Sequence, residues 1–376
     1  MAIQLFVPTF DVDNCLSEIK ECLEKGWTGM GFKTVEFEEK WKQYTSLPNA
    51  YYLGSATAAL NLSFDILKEG YDWKDDDEVI TTPMTFISSN HAILLAGLKP
   101  IFADIDDTLC LAPESVRAHI TDKTRAVLFV GLGGNTGRYE EVVKICEEHN
   151  LKLILDAAHM AGTRLRGEIP GKEAEVVNYS FQAVKNLPTA DSGMLCFKEA
   201  EFDKIARRKA WLGINKDTYS RSTGGNYKWR YDVEYVGNKY HGNSVVAAIG
   251  LAQLPHLDMD NAYRRQLASW YDQMLMPCGD KIKFITVPEG CESARHLYQI
   301  MISDRDGLMT YLNEHDIYPG VHYVDNTQYR MYAYAAGTCP NAAYASDHLL
   351  SLPMHLRLTY EDVSTVAECV KEFLAK

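Results

Sequence analysis

Apolar residues recur every three or four positions over residues 11–25, where Val12, Cys15, Leu16, Ile19, Cys22 and Leu23 share one side and Gly26 follows as a stop signal. The spacing predicts an amphipathic helix. A second is predicted over 34–44, with Phe37, Trp41 and Tyr44 on one stripe. Beyond it, short apolar runs alternate with helical spacing. The run 50–53 leads into a helix from about residue 57, 78–80 into 85–96, 100–103 into 113–119, and 125–130 into 140–148. Two further strands are predicted at 151–155 and in the apolar run before Ser180. Strand–helix alternation of this kind implies an α/β fold with a mostly parallel sheet between helices, and ligands in such sheets lie beyond the carboxyl ends of the strands.

The pattern changes after about residue 200. Residues 219–240 are polar and aromatic, with Gly224, Gly225 and Gly237, and are predicted to form a long loop. A helix is predicted over 244–257, strands over 282–285 and 296–302, and helices over 306–314 and 360–374. With 376 residues the chain exceeds the size at which single cores stop growing, so two domains are expected, 1–245 and 246–376.

A net charge of −13 argues against nucleic acid or an anionic membrane as partner. No apolar stretch reaches the length of a membrane span, and the first residues lack a signal-peptide pattern, so a cytoplasmic location is expected. The nine cysteines are scattered without C-x-x-C spacing, which predicts neither a disulfide framework nor a metal site.

The candidate chemistry sits at predicted strand ends. Lys185 follows one strand, and Pro188 disfavours a helix through it. Asp156 ends another and opens Asp156-Ala157-Ala158-His159. An amine and a carboxylate so placed suit a cofactor that forms an imine at one end and needs a counter-ion at the other, as pyridoxal 5'-phosphate does. Alone, the lysine also fits a surface charge, and the aspartate a helix cap. Gly54-Ser55-Ala56-Thr57 joins a strand to a helix, with Thr57 a candidate cap and the helix N-terminus a candidate anion site. Ser180 could bind phosphate, His159 could contact the cofactor's phenolic oxygen, and Phe86 could stack on its flat ring. A competing motif is the glycine-rich run 131–137, which imitates the dinucleotide loop of an NAD(P)-dependent oxidoreductase but has Thr136 where that loop requires glycine.

Taken in order, Gly26-Trp27, Phe37-Glu38-Glu39, the segment from Ser55 to Leu60, Thr85-Phe86, Asp156-Ala157-Ala158-His159, Ser180-Phe181, Lys185, Gly320-Val321-His322-Tyr323 and Leu350-Ser351-Leu352-Pro353 resemble the DegT/StrS family of pyridoxal-phosphate-dependent nucleotide-sugar aminotransferases. The resemblance implies a fold type I transferase, with a large cofactor domain and a smaller C-terminal α+β domain. It implies Lys185 as Schiff-base lysine and proton shuttle, Asp156 as pyridinium partner and His159 as phenolic-oxygen contact. It further implies Thr57, Ala58 and Ser180 as phosphate ligands and Phe86 as stacking aromatic. Lys239 stands near the position of an asparagine that reaches the partner subunit's cofactor phosphate, and His322 and Tyr323 are candidates to enclose substrate. The implied enzyme is a homodimer with shared active sites that moves an amino group from glutamate to a keto group on a nucleotide-linked deoxysugar. A smaller phosphorylated ketone is the alternative acceptor. The chain departs from the family pattern at Ala56, at Ala190-Asp191-Ser192-Gly193, at Leu212-Gly213, at Gly237-Asn238-Lys239-Tyr240-His241 and at Val130-Gly131-Leu132-Gly133-Gly134.

Overall fold

The computed structural model describes residues 2–216 and 231–376. Its centre is a seven-stranded sheet built from β1 (Tyr51–Leu53), β2 (Glu78–Thr81), β3 (Lys99–Phe102), β4 (Thr124–Val130), β5 (Lys152–Asp156), β7 (Val176–Ser180) and β8 (Gly193–Phe197), in the order β1-β8-β7-β5-β4-β2-β3. A short β6 (Arg164–Leu165) lies outside it and pairs with β10 (Cys291–Glu292). The β7–β5–β4–β2–β3 part is parallel, and β8 runs antiparallel to both its neighbours. The mostly parallel sheet is therefore present. The strand β8 was not predicted, because its five residues follow the lysine loop closely and no helix intervenes.

Both faces of the sheet are buried, and the pleat assigns alternate residues to each. Along β4, Val127 and Phe129 join one core with Phe37, Trp41, Val142 and Ala247, while Ala126 and Leu128 join the other with Leu60, Phe64, Ile93 and Ala206. The first core is dense in aromatic contacts: Trp41 meets Tyr179 and Phe181 edge-on with ring centroids 4.9 Å apart in each case.

The first helix spans Val12–Glu24 and is capped by Asp11, whose side chain accepts from the Asn14 N–H. Of its predicted apolar side only Cys15 and Cys22 are buried; Val12, Leu16 and Leu23 are exposed. The helix predicted over 244–257 is instead two. Ser244–Gln253 packs on the first two helices, then a 3-10 turn containing Pro255 leads into Leu257–Leu275. Pro255 can occupy the first turn of a new helix, which is why one long periodic run holds a break. A further core of Leu267, Tyr271, Tyr298, Ile300, Leu312 and Val366 surrounds β9 (Lys283–Phe284), β11 (Tyr298–Met301) and β12 (Leu349–Leu352), the last two antiparallel. Of the loop predicted over 219–240, residues 219–230 lie outside the described residues. No helix among the described residues is long and apolar enough to cross a membrane. All nine cysteines are free, and seven are buried.

Trp41 has no exposed surface. Trp41→Ala is expected to destabilise the protein by about 3–5 kcal/mol, read as a fall in the urea midpoint. Val236→Ala, at a position 97 % exposed, should stay within about 0.5 kcal/mol of the parent.

Candidate active site

The parallel strands end on one side of the sheet, and their loops surround a cavity of about 530 Å³. Thr57, Phe86, Asp156, His159, Ser180, Lys185, His322 and Tyr323 all line it. Ala58 is buried just behind, and Lys239 stands elsewhere.

Asp156 is the last residue of β5 and lies level with Asn178 of the neighbouring β7, so the lysine loop after β7 shares its end of the sheet. Its carboxylate accepts from Ser89 Oγ at 2.7 Å and from the Ala158 N–H at 3.1 Å, and Ser89 Oγ in turn sits 2.9 Å from Thr85 Oγ1. No helix follows, so Asp156 is not a helix cap. It forms no ion pair among the described residues. Burial pushes its carboxyl above the ordinary range, against those two hydrogen bonds and the charge of Lys185.

Lys185 lies in a turn, its N–H donating to the Gln182 carbonyl at 2.8 Å. The turn confirms that no helix passes through it. Burial lowers the amine to about 8, opposed by the attraction of Asp156. His159 Nδ1 accepts from the Gly133 N–H at 3.1 Å, and its Nε2 faces the Tyr323 hydroxyl at 3.2 Å. Burial first, and the charge of Lys185 second, hold its imidazole well below the usual range. His322 is lowered to about 4 for the same two reasons. Its Nδ1 lies 3.0 Å from Ser351 Oγ. Phe86 is 56 % exposed, which sets aside the plain core alternative for it. The Tyr323 ring is its aromatic neighbour, at 5.9 Å.

The helix Ala56–Gly70 points its N-terminus at the cavity. Its cap is Ser55 and not Thr57: Ser55 is extended, and its Oγ accepts from the Ala58 N–H at 3.1 Å. Thr57 lies inside the first turn. The N–H groups of Ala56 and Thr57 find no acceptor among the described residues, so two donors and a helix dipole face the opening.

The glycine-rich loop does not offer such donors. The N–H groups of Gly131, Gly133, Gly134, Asn135 and Gly137 go to Asp156 O, His159 Nδ1, Gly131 O, Leu132 O and Asn135 Oδ1. Five of the seven N–H groups of the run 131–137 are thus taken within the protein, where a dinucleotide loop would turn its row of donors to a pyrophosphate, and this counts against the dinucleotide alternative. Lys239 is exposed, and its amine lies 5.7 Å from the centre of the Trp211 ring. Sequence inspection missed Ser55, Thr85, Ser89, Gln182, Asp191 and His296, which line the cavity or contact its residues. Only Ser55 carried a local signal, as a serine just before a helix.

A family model described as the DegT/DnrJ/EryC1/StrS aminotransferase family matches residues 11–371. The chain is 31 % identical to the spore coat polysaccharide biosynthesis protein SpsC of Bacillus subtilis over 371 residues, covering 96 % of this chain and 94 % of that protein. The aminotransferase TlmJ from Streptoalloteichus hindustanus superposes with a TM-score of 0.91 at 29 % identity, over 100 % of this chain and 99 % of that one. The sugar aminotransferase CalS13 from Micromonospora echinospora gives 0.89 at 26 % identity, over 98 % and 99 %.

The residues present fit pyridoxal 5'-phosphate. A buried carboxylate without an ion-pair partner suits a protonated ring nitrogen, the free donors at the helix N-terminus suit a phosphate, and an amine lies in the same cavity.

The lowered amine gives a direct expectation. A neutral amine is the nucleophile, so acylation of Lys185 in the cofactor-free protein should be fast above pH 8 and fall tenfold per unit below it. In the urea-unfolded chain the same break should appear near about 10.4. Peptide mapping by mass spectrometry across pH measures both.

Proposed function

This chain belongs to the DegT/DnrJ/EryC1/StrS aminotransferase family, a pyridoxal-phosphate-dependent transaminase of fold type I, and on that premise we propose that it moves an amino group from glutamate to the keto group of a nucleotide-linked deoxysugar. The observation that carries the proposal is the single cavity lined by Lys185, Asp156 and the N-terminus of the Ala56–Gly70 helix. The sugar acceptor is supported by the likeness to SpsC and CalS13.

Pyridoxal 5'-phosphate, when bound, supplies an electron sink for the charge left when a proton leaves the carbon that carries nitrogen. The rest is the work of the chain. Asp156, oriented by Ser89 and the Ala158 N–H, would hold the ring nitrogen's proton. At ~4 Å and an effective dielectric of ~20, opposite charges attract by about 4 kcal/mol, which also returns the desolvated carboxyl to its ionised form. The N–H groups of Ala56 and Thr57, with Ser180 and the Thr57 hydroxyl, would bind the phosphate, with Ala58 completing the turn behind them. His159 would lie along the ring's phenolic side and Phe86 across its face. Lys185 Nζ would take a proton from the amino-bearing carbon and return it to the carbon on the far side of the shared nitrogen, a task suited to an amine lowered to about 8. His322 and Tyr323 would close the substrate side.

The enzyme acts as a homodimer in this proposal, so that the exposed Lys239 of one copy reaches the phosphate of the other. We divide the chain into a cofactor-binding domain, 1–245, and a smaller domain, 246–376. The reaction is assigned to the cytoplasm.

Lys185→Ala should lower transamination by about 10²–10⁴-fold or more while the protein still takes up the cofactor. Turnover equal to the parent's would remove the lysine from the mechanism. The acceptor is tested by converting the protein to its amino form with glutamate, then screening keto sugars with and without a nucleotide for return of the aldehyde absorbance. Return with a small phosphorylated ketone alone would overturn the sugar assignment.

A further inference from the structure

His296 lies against the reactive amine, and its protonation can be deduced from fixed acceptors. The carbonyl of Ala161 can only accept, so the Asn261 amide turns its Nδ2 toward it, at 2.9 Å, and its Oδ1 toward Asn186. Asn186 Nδ2 donates to that Oδ1 at 2.7 Å and to the carbonyl of Ala294 at 2.6 Å. The atom of Asn186 left to face His296 Nδ1, at 3.1 Å, is therefore its Oδ1, an acceptor. The ring must carry its proton on Nδ1. In the neutral ring Nε2 is then a bare acceptor, and it sits 3.4 Å from Lys185 Nζ.

The ring is held on both sides. Phe6 stacks on it at 5.4 Å with planes 6° apart, and His159 packs at 4.3 Å. The peptide of Gly133 brackets the two histidines, its N–H on His159 Nδ1 and its carbonyl accepting from the His296 N–H at 3.1 Å. An added Cβ at Gly134 would lie 3.1 Å from both Arg295 N and His159 O, and its φ of 88° is one that side-chain-bearing residues rarely adopt, so the loop favours glycine there.

We propose that His296 is a positioning residue for Lys185: as the Nδ1–H tautomer fixed by Asn186, it accepts an N–H of the amine, aims the remaining lone pair at the cavity, and gives the ammonium a partner when Lys185 takes up a proton. The proposal rests on the role of Lys185 given above. Among the described residues His296 Nε2 is the one hydrogen-bond partner of Nζ; Asp156 acts on it through space. A desolvated ammonium without an acceptor is costly, so each proton transfer to Lys185 depends on this contact. The ring stays neutral throughout, because burial, then Lys185, His159, Arg264 and His322, keep it far below the usual range.

The charged and titratable groups around the amine are Asp156, His159, His296, His322 and Tyr323 in the cavity and, on the other side of the Lys185 turn, Arg264 and His355; only His296 is altered in the test. His296→Phe keeps the ring shape without an acceptor. It should move the acylation midpoint of Lys185 in the cofactor-free protein about one unit lower, since the ammonium loses its partner. It should also lower kcat by about 10–100-fold, with KM for glutamate within about twofold of the parent. His296→Gln, which returns an acceptor, should restore most of both. An unchanged midpoint and kcat in His296→Phe would overturn the proposal. Neutron diffraction from the unaltered protein gives a second measurement independent of variant folding: a proton on Nδ1 and none on Nε2 is expected, and a proton on Nε2 would overturn it. Neither the midpoint nor the proton map needs a substrate, so both can succeed where the sugar assignment fails.

Discussion

The site depends on a carboxylate kept away from water without a cation beside it. Asp156 is buried, accepts from one hydroxyl and one backbone N–H, and forms no salt bridge. An arrangement of this kind weakens the fold unless something cationic is bound, because desolvation penalises the charge and two hydrogen bonds return only part of it. Lys185 serves only weakly as that cation, since it acts through space without an ion-pair contact and its own burial lowers it to about 8. Two desolvated groups thus share one cavity while each disfavours charge on itself. A ligand that is cationic against the carboxylate and electrophilic toward the amine relieves both at once, and pyridoxal 5'-phosphate is both.

The sheet makes this juxtaposition inexpensive in chain conformation. β5 and β7 are adjacent and parallel, so their carboxyl ends, bearing Asp156 and the turn of Lys185, emerge about 5 Å apart on the same side. β8 then returns antiparallel, and its first residue, Gly193, meets the start of the Ala56–Gly70 helix. A Cβ there would stand 2.6 Å from Ala56 N and 2.8 Å from Tyr179 O. The glycine lets the phosphate-facing helix end approach the strand that carries Ser180. The departure Ala190-Asp191-Ser192-Gly193 therefore keeps the residue that packing requires. It changes its neighbours, with Ser192 turned inward to Thr189 Oγ1 at 2.8 Å and Asp191 exposed on the cavity wall.

What the sequence disclosed was what local spacing encodes. The helices Val12–Glu24, Phe32–Thr45 and Tyr139–Glu148 follow from period and stop signals, and the parallel strands from alternation with helices. Asp156 and Lys185 stood out because strand ends in such a sheet are where ligands lie. Strand β12 was missed because its four residues give no period and pair with β11 across fifty positions. His296 and Ser89 were missed because nothing near them in sequence marks them; their partners, Lys185 and Asp156, are brought by the fold. Thr57 was preferred to Ser55 as cap by placing the helix start two residues late, a distinction that only the extended backbone of Ser55 resolves. The exposed Val12, Leu16 and Leu23 show the limit of periodicity: it marks an apolar side without saying whether this chain or another covers it.

The glycine-rich loop is the sharpest case of a pattern with two physical meanings. Glycines at Gly133 and Gly134 adopt φ of 65° and 88°, as a phosphate-binding turn would. Here the same left-handed backbone points the Gly133 N–H at an imidazole and its carbonyl at the backbone of His296. A dinucleotide loop leaves its donors free for a ligand; this loop uses two of them, from Gly131 and Gly133, on the Asp156–His159 segment, and the Gly133 carbonyl accepts from the segment before β11. Since His159 and His296 both lie near the amine, Gly133 joins their two segments at the point where the proton must move. The residues that handle the cofactor are thus cross-linked by hydrogen bonds through the middle of the molecule. Of the departures from the family pattern, those at Asp191 and Lys239 are exposed to solvent, whereas the one at Val130-Gly131-Leu132-Gly133-Gly134 is this buried loop itself.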